Sequence, residues 1–229
     1  MGQHHDVGFP NESDDYRAAR DALLTAEADL RRQLETVAAQ RRALPPGGQL
    51  KEDYVFAEAA GNGSAKDTHF SELFAAGKQS LIVYSFMYTA DDDAPCPMCT
   101  AFLDTFNGNA PHVRDRVGVA VVAKAPIDKI RSFADGRGWN NLRLLSSAGN
   151  SYNQDYHGQN PEGGQIPSMN VFRKADDGIR HFYHSELLFG APEEGQHMRH
   201  MDLLWPLWST FDLTPDGRGS DWFPKLAYD

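Results

Sequence analysis

Two cysteines separated by two residues form the most reactive motif of this sequence. The motif is Cys96-Pro97-Met98-Cys99, and it contains the only cysteines among the 229 residues. If Cys96 opens a helix, Cys99 follows about one turn later on the same face, so the two sulfurs can come within bonding distance. The pair can therefore exist as a dithiol or as a disulfide.

Three roles are open to such a pair: redox chemistry, metal binding and structural burial. Zinc would need two further ligands, and the sequence contains no second Cys-x-x-Cys and no close His-x-x-x-His pair. Two inert buried thiols at this spacing would be a coincidence. We therefore favour redox chemistry and predict neither a metal nor a cofactor. The histidines considered as zinc ligands are His69, His112, His157, His181 and His184.

The position of the pair predicts which cysteine attacks. Residues 80–88 have the apolar pattern of a strand buried on both faces, and helical spacing runs over residues 96–106. A helix N-terminus stabilises a thiolate, which is the form that attacks a disulfide. We therefore predict Cys96 as the nucleophile and Cys99 as the deeper, resolving thiol. Asp91-Asp92-Asp93 would raise the pKa of Cys96 if these carboxylates faced it.

The remaining pattern alternates strands and helices, as in an α/β domain. An Asp-Gly turn within residues 174–178 predicts a β-hairpin. Further predicted strands cover residues 54–56, 117–123, 142–145, 168–173 and 179–184, predicted helices cover residues 71–74, 127–137 and 198–211, and a turn is predicted at residues 61–63.

Several polar and aromatic residues outside the motif also have expected positions. Trp205 and Trp208 are predicted to lie in the core. His181 and His184 alternate with aromatic residues on a predicted strand, so we expect them at the surface or at a sheet edge. Three further residues are expected in a polar loop, with a pocket beside the cleft as the alternative: Asn153, Asp155 and His157.

A helical arm precedes this domain. Residues 14–44 carry leucines at near-helical spacing among charged residues, and Pro45-Pro46-Gly47-Gly48 ends the helix. The apolar stripe is narrow, so it can pack on the parent domain or against a partner helix, and a homodimer through this arm stays open. The predicted organisation is a tail and arm at residues 1–48 and a domain with a C-terminal extension at residues 49–229.

Charge and hydropathy limit the partners. The formal net charge is -10, and the sequence lacks the Lys/Arg-rich block that a nucleic acid partner requires. No apolar run reaches the roughly 20 residues that span a bilayer, and residues 1–10 lack the pattern of a secretory signal. We therefore expect a cytoplasmic protein without membrane or nucleic acid partners. In that compartment a Cys-x-x-Cys is more often catalytic or metal-binding than structural.

The order of these elements resembles the thioredoxin superfamily. The resemblance covers roughly residues 53–185 and rests on the cysteine pair after a strand and on Ile166-Pro167-Ser168 before the hairpin. It implies a three-layer fold, with a central mixed sheet between helices, and a cis Pro167 beside the cysteines. Ile166 would then offer its N–H and C=O to an extended peptide. The implied substrate cleft contains Pro97, Met98, Ile166, Pro167 and Ser168.

A narrower resemblance spans nearly the whole chain. It is to the bacterial family called domain of unknown function 899, which is itself thioredoxin-like. The resemblance implies a bacterial thioredoxin-like protein and brings no established substrate. The segments that carry it are QRRALP, DYVF, the end of the strand before the cysteines, CPMC, FNG, GW, YNQDYH and DLTPDGRG.

We predict a thiol-disulfide oxidoreductase that acts on a protein or small-molecule disulfide and receives electrons from an unidentified donor. The alternatives are a thiol peroxidase of the peroxiredoxin type and a non-catalytic binding protein with the same fold. The peroxiredoxin branch, which residues 54–96 also resemble, has a threonine three residues before its cysteine and an arginine ahead of a later strand. This chain has Asp93 and Met169 there, which disfavours peroxide reduction.

Overall fold

The chain divides into two compact units, Met1–Pro45 and Pro46–Asp229. The structure is a computed structural model that describes residues 5, 7–59, 64–188, 194, 205–217, 219 and 221–228. The turn predicted at residues 61–63 and residues 198–204 of the predicted closing helix lie outside the described residues.

The first unit contains one long helix, α1 (Asp14–Arg42), which confirms the predicted arm helix. Ser13 is its N-cap, and the Ser13 hydroxyl accepts a hydrogen bond from the Tyr16 N–H. Acidic residues in the first turn and arginines in the last turn complement the helix dipole. None of the residues of α1, all of which are described, is buried.

The second unit is built on a mixed sheet of seven strands within the described residues. The strands are β1 (Val55–Ala59), β2 (Ala65–His69), β3 (Ser80–Ser85), β4 (Gly118–Ala123), β5 (Leu144–Ser146), β6 (Ser168–Ala175) and β7 (Gly178–His184). Their order in the sheet is β2-β1-β5-β4-β3-β6-β7. β4 is parallel to β3 and β5, whereas β6 is antiparallel to β3 and β7.

Helices cover the sheet on one side, and a shorter helix lies on the other. The helices of this unit are α2 (Pro97–Arg114), α3 (Ile127–Arg137), α4 (Tyr152–Asp155) and α5 (Pro206–Phe211), with 3-10 turns at Phe70–Leu73 and Glu186–Leu188. Within the described residues, no helix combines the length and the hydrophobicity needed to cross a membrane.

Alternation along β3 separates two hydrophobic clusters. Ile82 and Tyr84 face a cluster with residues of α2, α3 and α5, whereas Leu81 and Val83 face a cluster with α4 and the Phe70–Leu73 turn. Every residue of β4 is buried, as expected for a parallel strand covered on both faces. The structure confirms the predicted three-layer α/β arrangement. A strand is followed by a helix with the cysteines at its N-terminus, then by a parallel strand and later by a β-hairpin.

Trp205 and Trp208 lie in the cluster that also contains Cys99, and they are 1% and 0% exposed. Their predicted core position is confirmed. The described part of the predicted closing helix is α5, which starts at Pro206. The first helical position tolerates proline because an N–H there would have no partner within the helix.

Candidate active site

The cysteine pair lies in the connection between β3 and α2. After β3 ends, the Phe86 N–H still donates to the Val122 oxygen of β4 at 2.8 Å. The Cys96 N–H then donates to the Met87 oxygen at 3.2 Å. These two bonds hold both ends of the loop formed by residues 88–95, so the start of α2 is kept close to the sheet.

The acidic triplet belongs to this loop. Asp92 Oδ2 accepts a hydrogen bond from the Thr89 N–H at 2.7 Å, whereas Asp91 and Asp93 are exposed. Lys129 Nζ, near the start of α3, donates to the Thr89 oxygen at 3.3 Å. The carboxylates therefore face their own loop and the solvent.

Cys96 is the N-cap residue of α2. Its sulfur accepts a hydrogen bond from the Cys99 N–H at 3.5 Å. Its carbonyl oxygen accepts from the N–H and the hydroxyl of Thr100, at 3.0 and 2.9 Å. Pro97 follows at the first helical position, where its missing N–H leaves no donor unpaired. The first turn of α2 therefore holds a half-buried thiol in place.

The environment of Cys96 lowers the pKa of its thiol from 9.0 to about 6. The largest cause is the hydrogen bond between the Cys96 sulfur and the Cys99 thiol, which burial of Cys96 opposes. The N–H groups of Cys99 and Met98 lower the pKa further. Because the thiolate is the nucleophilic form of cysteine, Cys96 is mostly reactive thiolate at neutral pH.

Cys99 has the opposite character, since its side chain is 0% exposed. Burial is the largest cause that raises its pKa well above 9.0, and the neighbouring Cys96 raises it further. The Tyr84 hydroxyl and the Met87 backbone act in the other direction by hydrogen bonding to the Cys99 sulfur. One thiol of the pair is therefore ionised at neutral pH, and the other keeps its proton.

Tyr84 is a site residue that the sequence reasoning missed. It is the fifth residue of β3, it is 0% exposed, and its ring lies 4.8 Å from that of Phe102 in α2. The only available signal was the alternation along β3, which places Tyr84 on the face that α2 covers. That pattern indicates a core residue and does not reveal the contact with Cys99.

The predicted cleft residues lie on two elements. Pro97 is exposed and Met98 half-buried in the first turn of α2, where Met98 packs against the cluster that contains Cys99. Ser168 begins β6 and pairs with Ser85, the last residue of β3. The start of β6 therefore adjoins the end of β3, from which the cysteine loop departs. That these residues bind substrate stays a prediction.

The cis peptide expected before Pro167 is wrong, because none of the described peptide bonds is cis. The Ile166 N–H donates to the Gly158 oxygen at 3.0 Å, and Gln159 pairs with Gln165 across the same loop. The chain folds back on itself here, so the amide hydrogen of Ile166 is already used. Its predicted pairing with a substrate peptide through this N–H is wrong, whereas pairing through its C=O stays a prediction.

A concave surface of about 550 Å³, separate from the cysteine pair, is lined by several histidines. His181 and His184 lie on the edge strand β7, as expected, but His184 is only 7% exposed, and its ring lies against those of His157 and His181. Burial is the first cause that lowers the pKa of His184 to about 4. The surface is lined by Gly48, Gln49, Asp155, Tyr156, His157, Asn170, His181, His184 and Glu186.

The polar residues near this surface have separate roles. Asp155 and His157 line it, whereas Asn153 is buried and its side-chain oxygen accepts from the Ser147 hydroxyl at 2.6 Å. His181 Nε2 lies 2.9 Å from Asn170 Oδ1. In the described part of the chain, no three His, Cys, Asp or Glu side chains are placed to hold a metal ion.

The sequence matches the family described as "Bacterial protein of unknown function (DUF899)" over residues 5–228. The chain belongs to the DUF899 family. No curated protein matches this DUF899 chain.

Solved structures similar to the DUF899 chain include a peroxiredoxin-like protein from Aquifex aeolicus, with 14% identity, a TM-score of 0.43, and coverage of 70% of this chain and 84% of that one. Reduced Prx3 from Vibrio vulnificus, in complex with hydrogen peroxide, has 12% identity, a TM-score of 0.46, and coverage of 70% and 97%. Enterococcus faecalis AhpC has 13% identity, a TM-score of 0.47, and coverage of 69% and 87%.

Proposed function

We propose that this DUF899 chain is a thiol-disulfide oxidoreductase in which Cys96 attacks and Cys99 resolves. The observation that carries the proposal is the difference between the two thiols. Cys96 is half-buried at the N-terminus of α2 with a pKa of about 6, whereas Cys99 is buried with a raised pKa. Disulfide exchange requires a thiolate that attacks and a second thiol held close to it.

The reaction has two steps. The Cys96 thiolate attacks one sulfur of a substrate disulfide, so that a bond forms between Cys96 and that sulfur while the other substrate sulfur leaves as a thiolate. Cys99 then attacks the Cys96 sulfur, the remaining substrate sulfur leaves with the bonding electron pair, and the proton that Cys99 gives up passes to it or to the buffer. The substrate gains two electrons. A dithiol donor then reduces the Cys96–Cys99 disulfide and is itself oxidised to a disulfide.

The proposed substrate is a protein or small-molecule disulfide, which would contact Pro97, Met98 and residues 166–168. The Ile166 N–H is used within the chain, so we assign no backbone pairing through it. A dithiol donor requires a reducing compartment, and we therefore propose a cytoplasmic location.

A homodimer through α1 is also proposed. Three leucines of this helix, Leu23, Leu30 and Leu34, are 47%, 61% and 45% exposed. Pairing with a second copy would bury them. Sedimentation of the full chain should show a dimer that Leu30→Glu converts to a monomer, and an unchanged mass would contradict this pairing.

Reduction of insulin disulfides by dithiothreitol tests the proposed reaction. The wild-type chain should accelerate precipitation of the insulin B chain, and Cys96→Ser should abolish the acceleration. Cys99→Ser should retain the attack and accumulate a mixed disulfide on Cys96. A parallel assay of hydrogen peroxide consumption separates the alternatives. Peroxide reduction without insulin reduction would instead support a peroxidase. The absence of both activities would support a binding protein.

A further inference from the structure

A tyrosine hydroxyl lies against the sulfur of the buried cysteine. Tyr84 and Cys99 are both 0% exposed, they belong to one hydrophobic cluster, and the Tyr84 hydroxyl hydrogen-bonds the Cys99 side chain. Tyr84 is held in this position from two sides. Its ring packs on Phe102 of α2 at 4.8 Å, and its backbone pairs with Met169 of β6.

We propose that Tyr84 is a catalytic residue of the resolving step, in which its hydroxyl donates a hydrogen bond to the Cys99 sulfur as that sulfur becomes a thiolate. The inference rests on the proposed function, because it assigns a role within the second step of that reaction. It adds a third residue to the pair that the sequence identifies.

The need for such a donor follows from the burial of Cys99. An ionised sulfur in an apolar cluster is costly unless hydrogen-bond donors reach it. In the dithiol state, the Cys99 thiol is hydrogen-bonded to Cys96. In the mixed disulfide the Cys96 sulfur is no longer a thiolate, so this interaction is lost when Cys99 must attack. The Tyr84 hydroxyl and the Met87 backbone then remain as hydrogen-bond partners of the Cys99 sulfur.

The step balances without a further reactant. The Cys99 sulfur forms a bond to the Cys96 sulfur, and the bond between Cys96 and the substrate sulfur breaks. The substrate sulfur takes the bonding electron pair, and the proton from Cys99 passes to it or to the buffer. Tyr84 keeps its own proton throughout, since burial raises the pKa of its hydroxyl well above 10.0.

A single-turnover reaction of the full, reduced chain with dithiobis(nitrobenzoate) separates the two steps. Attack by Cys96 releases the first thionitrobenzoate, and resolution by Cys99 releases the second. In Tyr84→Phe the first release should be unchanged, whereas the second should be about tenfold slower, since a hydrogen bond to a charged group is stronger than a neutral one. The second release should also need higher pH, because the pKa of Cys99 rises without its donor.

Tyr152→Phe is the matched control, since Tyr152 is 0% exposed in the other hydrophobic cluster. It should leave both releases at the wild-type rates. Cys99→Ser should abolish the second release and so assign it to Cys99.

An unchanged second release in Tyr84→Phe would overturn the role of Tyr84, and so would equal slowing in Tyr84→Phe and Tyr152→Phe. Loss of the folded state in Tyr84→Phe would also overturn it, because the residue would then be structural. Failure of the proposed function gives a different result. The wild-type chain would then release no second thionitrobenzoate, or Cys96→Ser would still release the first.

Discussion

At the scale of single residues, the start of α2 makes Cys96 and Cys99 chemically different. Cys96 precedes the first helical turn, where N–H groups of that turn reach its sulfur, whereas Cys99 lies within the turn and points into the core. Each thiol affects the other, because the proton on Cys99 stabilises the thiolate of Cys96 and that thiolate favours protonated Cys99. Charge on one sulfur therefore opposes charge on the other.

The pH dependence of Cys96 alkylation is the first prediction. Because the pKa of Cys96 is lowered to about 6, its reaction with iodoacetamide should rise with pH through about 6 and level off above it. Cys99→Ala removes the largest cause of the lowered pKa, so the midpoint should move upward. Alkylation followed by mass spectrometry at each pH measures both values. A wild-type midpoint near the ordinary value of 9.0 would contradict the assigned environment.

The sequence predicts part of this chemistry. A Cys-Pro at a helix start indicates a capped, nucleophilic Cys96, and the helix N–H groups do contribute. The larger contribution of the Cys99 thiol and the contact with Tyr84 depend on how the helix packs on β3, and spacing along the chain does not report that packing. The resemblance to the thioredoxin superfamily also misplaced the Ile166 N–H, which bonds the Gly158 oxygen within its own loop.

At the scale of elements, strong hydrophobic periodicity predicted helices and strands correctly, whereas polar segments gave no usable signal. The helix predicted at residues 127–137 coincides with α3. In contrast, α2 runs through Pro111 to Arg114, beyond the predicted residue 106. Proline has no N–H for the Asn107 oxygen, and this oxygen accepts instead from Asn141 Nδ2 at 3.2 Å. This tertiary contact compensates for the hydrogen bond that Pro111 cannot make within the helix. From sequence alone, such a proline predicts the end of a helix.

Other element boundaries changed for related reasons. β2 was not predicted, because its sequence AKDTH is mostly polar and it forms an exposed edge of the sheet. The predicted strand at residues 80–88 ends at Ser85, where the chain leaves the sheet for the cysteine loop. An apolar run indicates burial, and residues 86 and 88 are buried beyond the end of the strand.

The acid sensitivity of β7 is a prediction at this scale. Burial lowers the pKa of His184 from 6.5 to about 4, so the unfolded chain binds a proton between these pH values that the folded chain does not. The free energy of unfolding should therefore fall as pH drops from about 6.5 to about 4, by an amount on the order of 2 kcal/mol from this residue.

Urea denaturation at pH 7 and pH 4.5 measures this loss for wild type and His184→Gln. The glutamine does not titrate, so the variant should lose less stability on acidification. His112→Gln, at an exposed position of α2, is the control and should behave as wild type. Equal acid losses in wild type and His184→Gln would contradict the assigned burial effect.

At the scale of the whole molecule, one sheet positions all the groups of the candidate site. β3 provides Tyr84 and leads into the cysteine loop, α2 provides both thiols, and β4 and β6 hold β3 from either side. The sequence predicted the order of these strands and helices, though not the contact of Tyr84 with Cys99, because buried strands and amphipathic helices alternate clearly between residues 80 and 184. The family match over residues 5–228 confirms the resemblance to the DUF899 family.

Equilibration of the folded protein with mixtures of reduced and oxidised glutathione tests the central claim most directly. Thiol labelling and mass spectrometry of each mixture would measure the fraction with a Cys96–Cys99 disulfide. We predict a reversible transition between dithiol and intramolecular disulfide that follows a two-electron exchange, with a tenfold change in the equilibrium constant per about 30 mV. Thiols that stay free at every ratio in the folded chain, or a stable glutathione adduct on Cys96 with Cys99 still free, would contradict it.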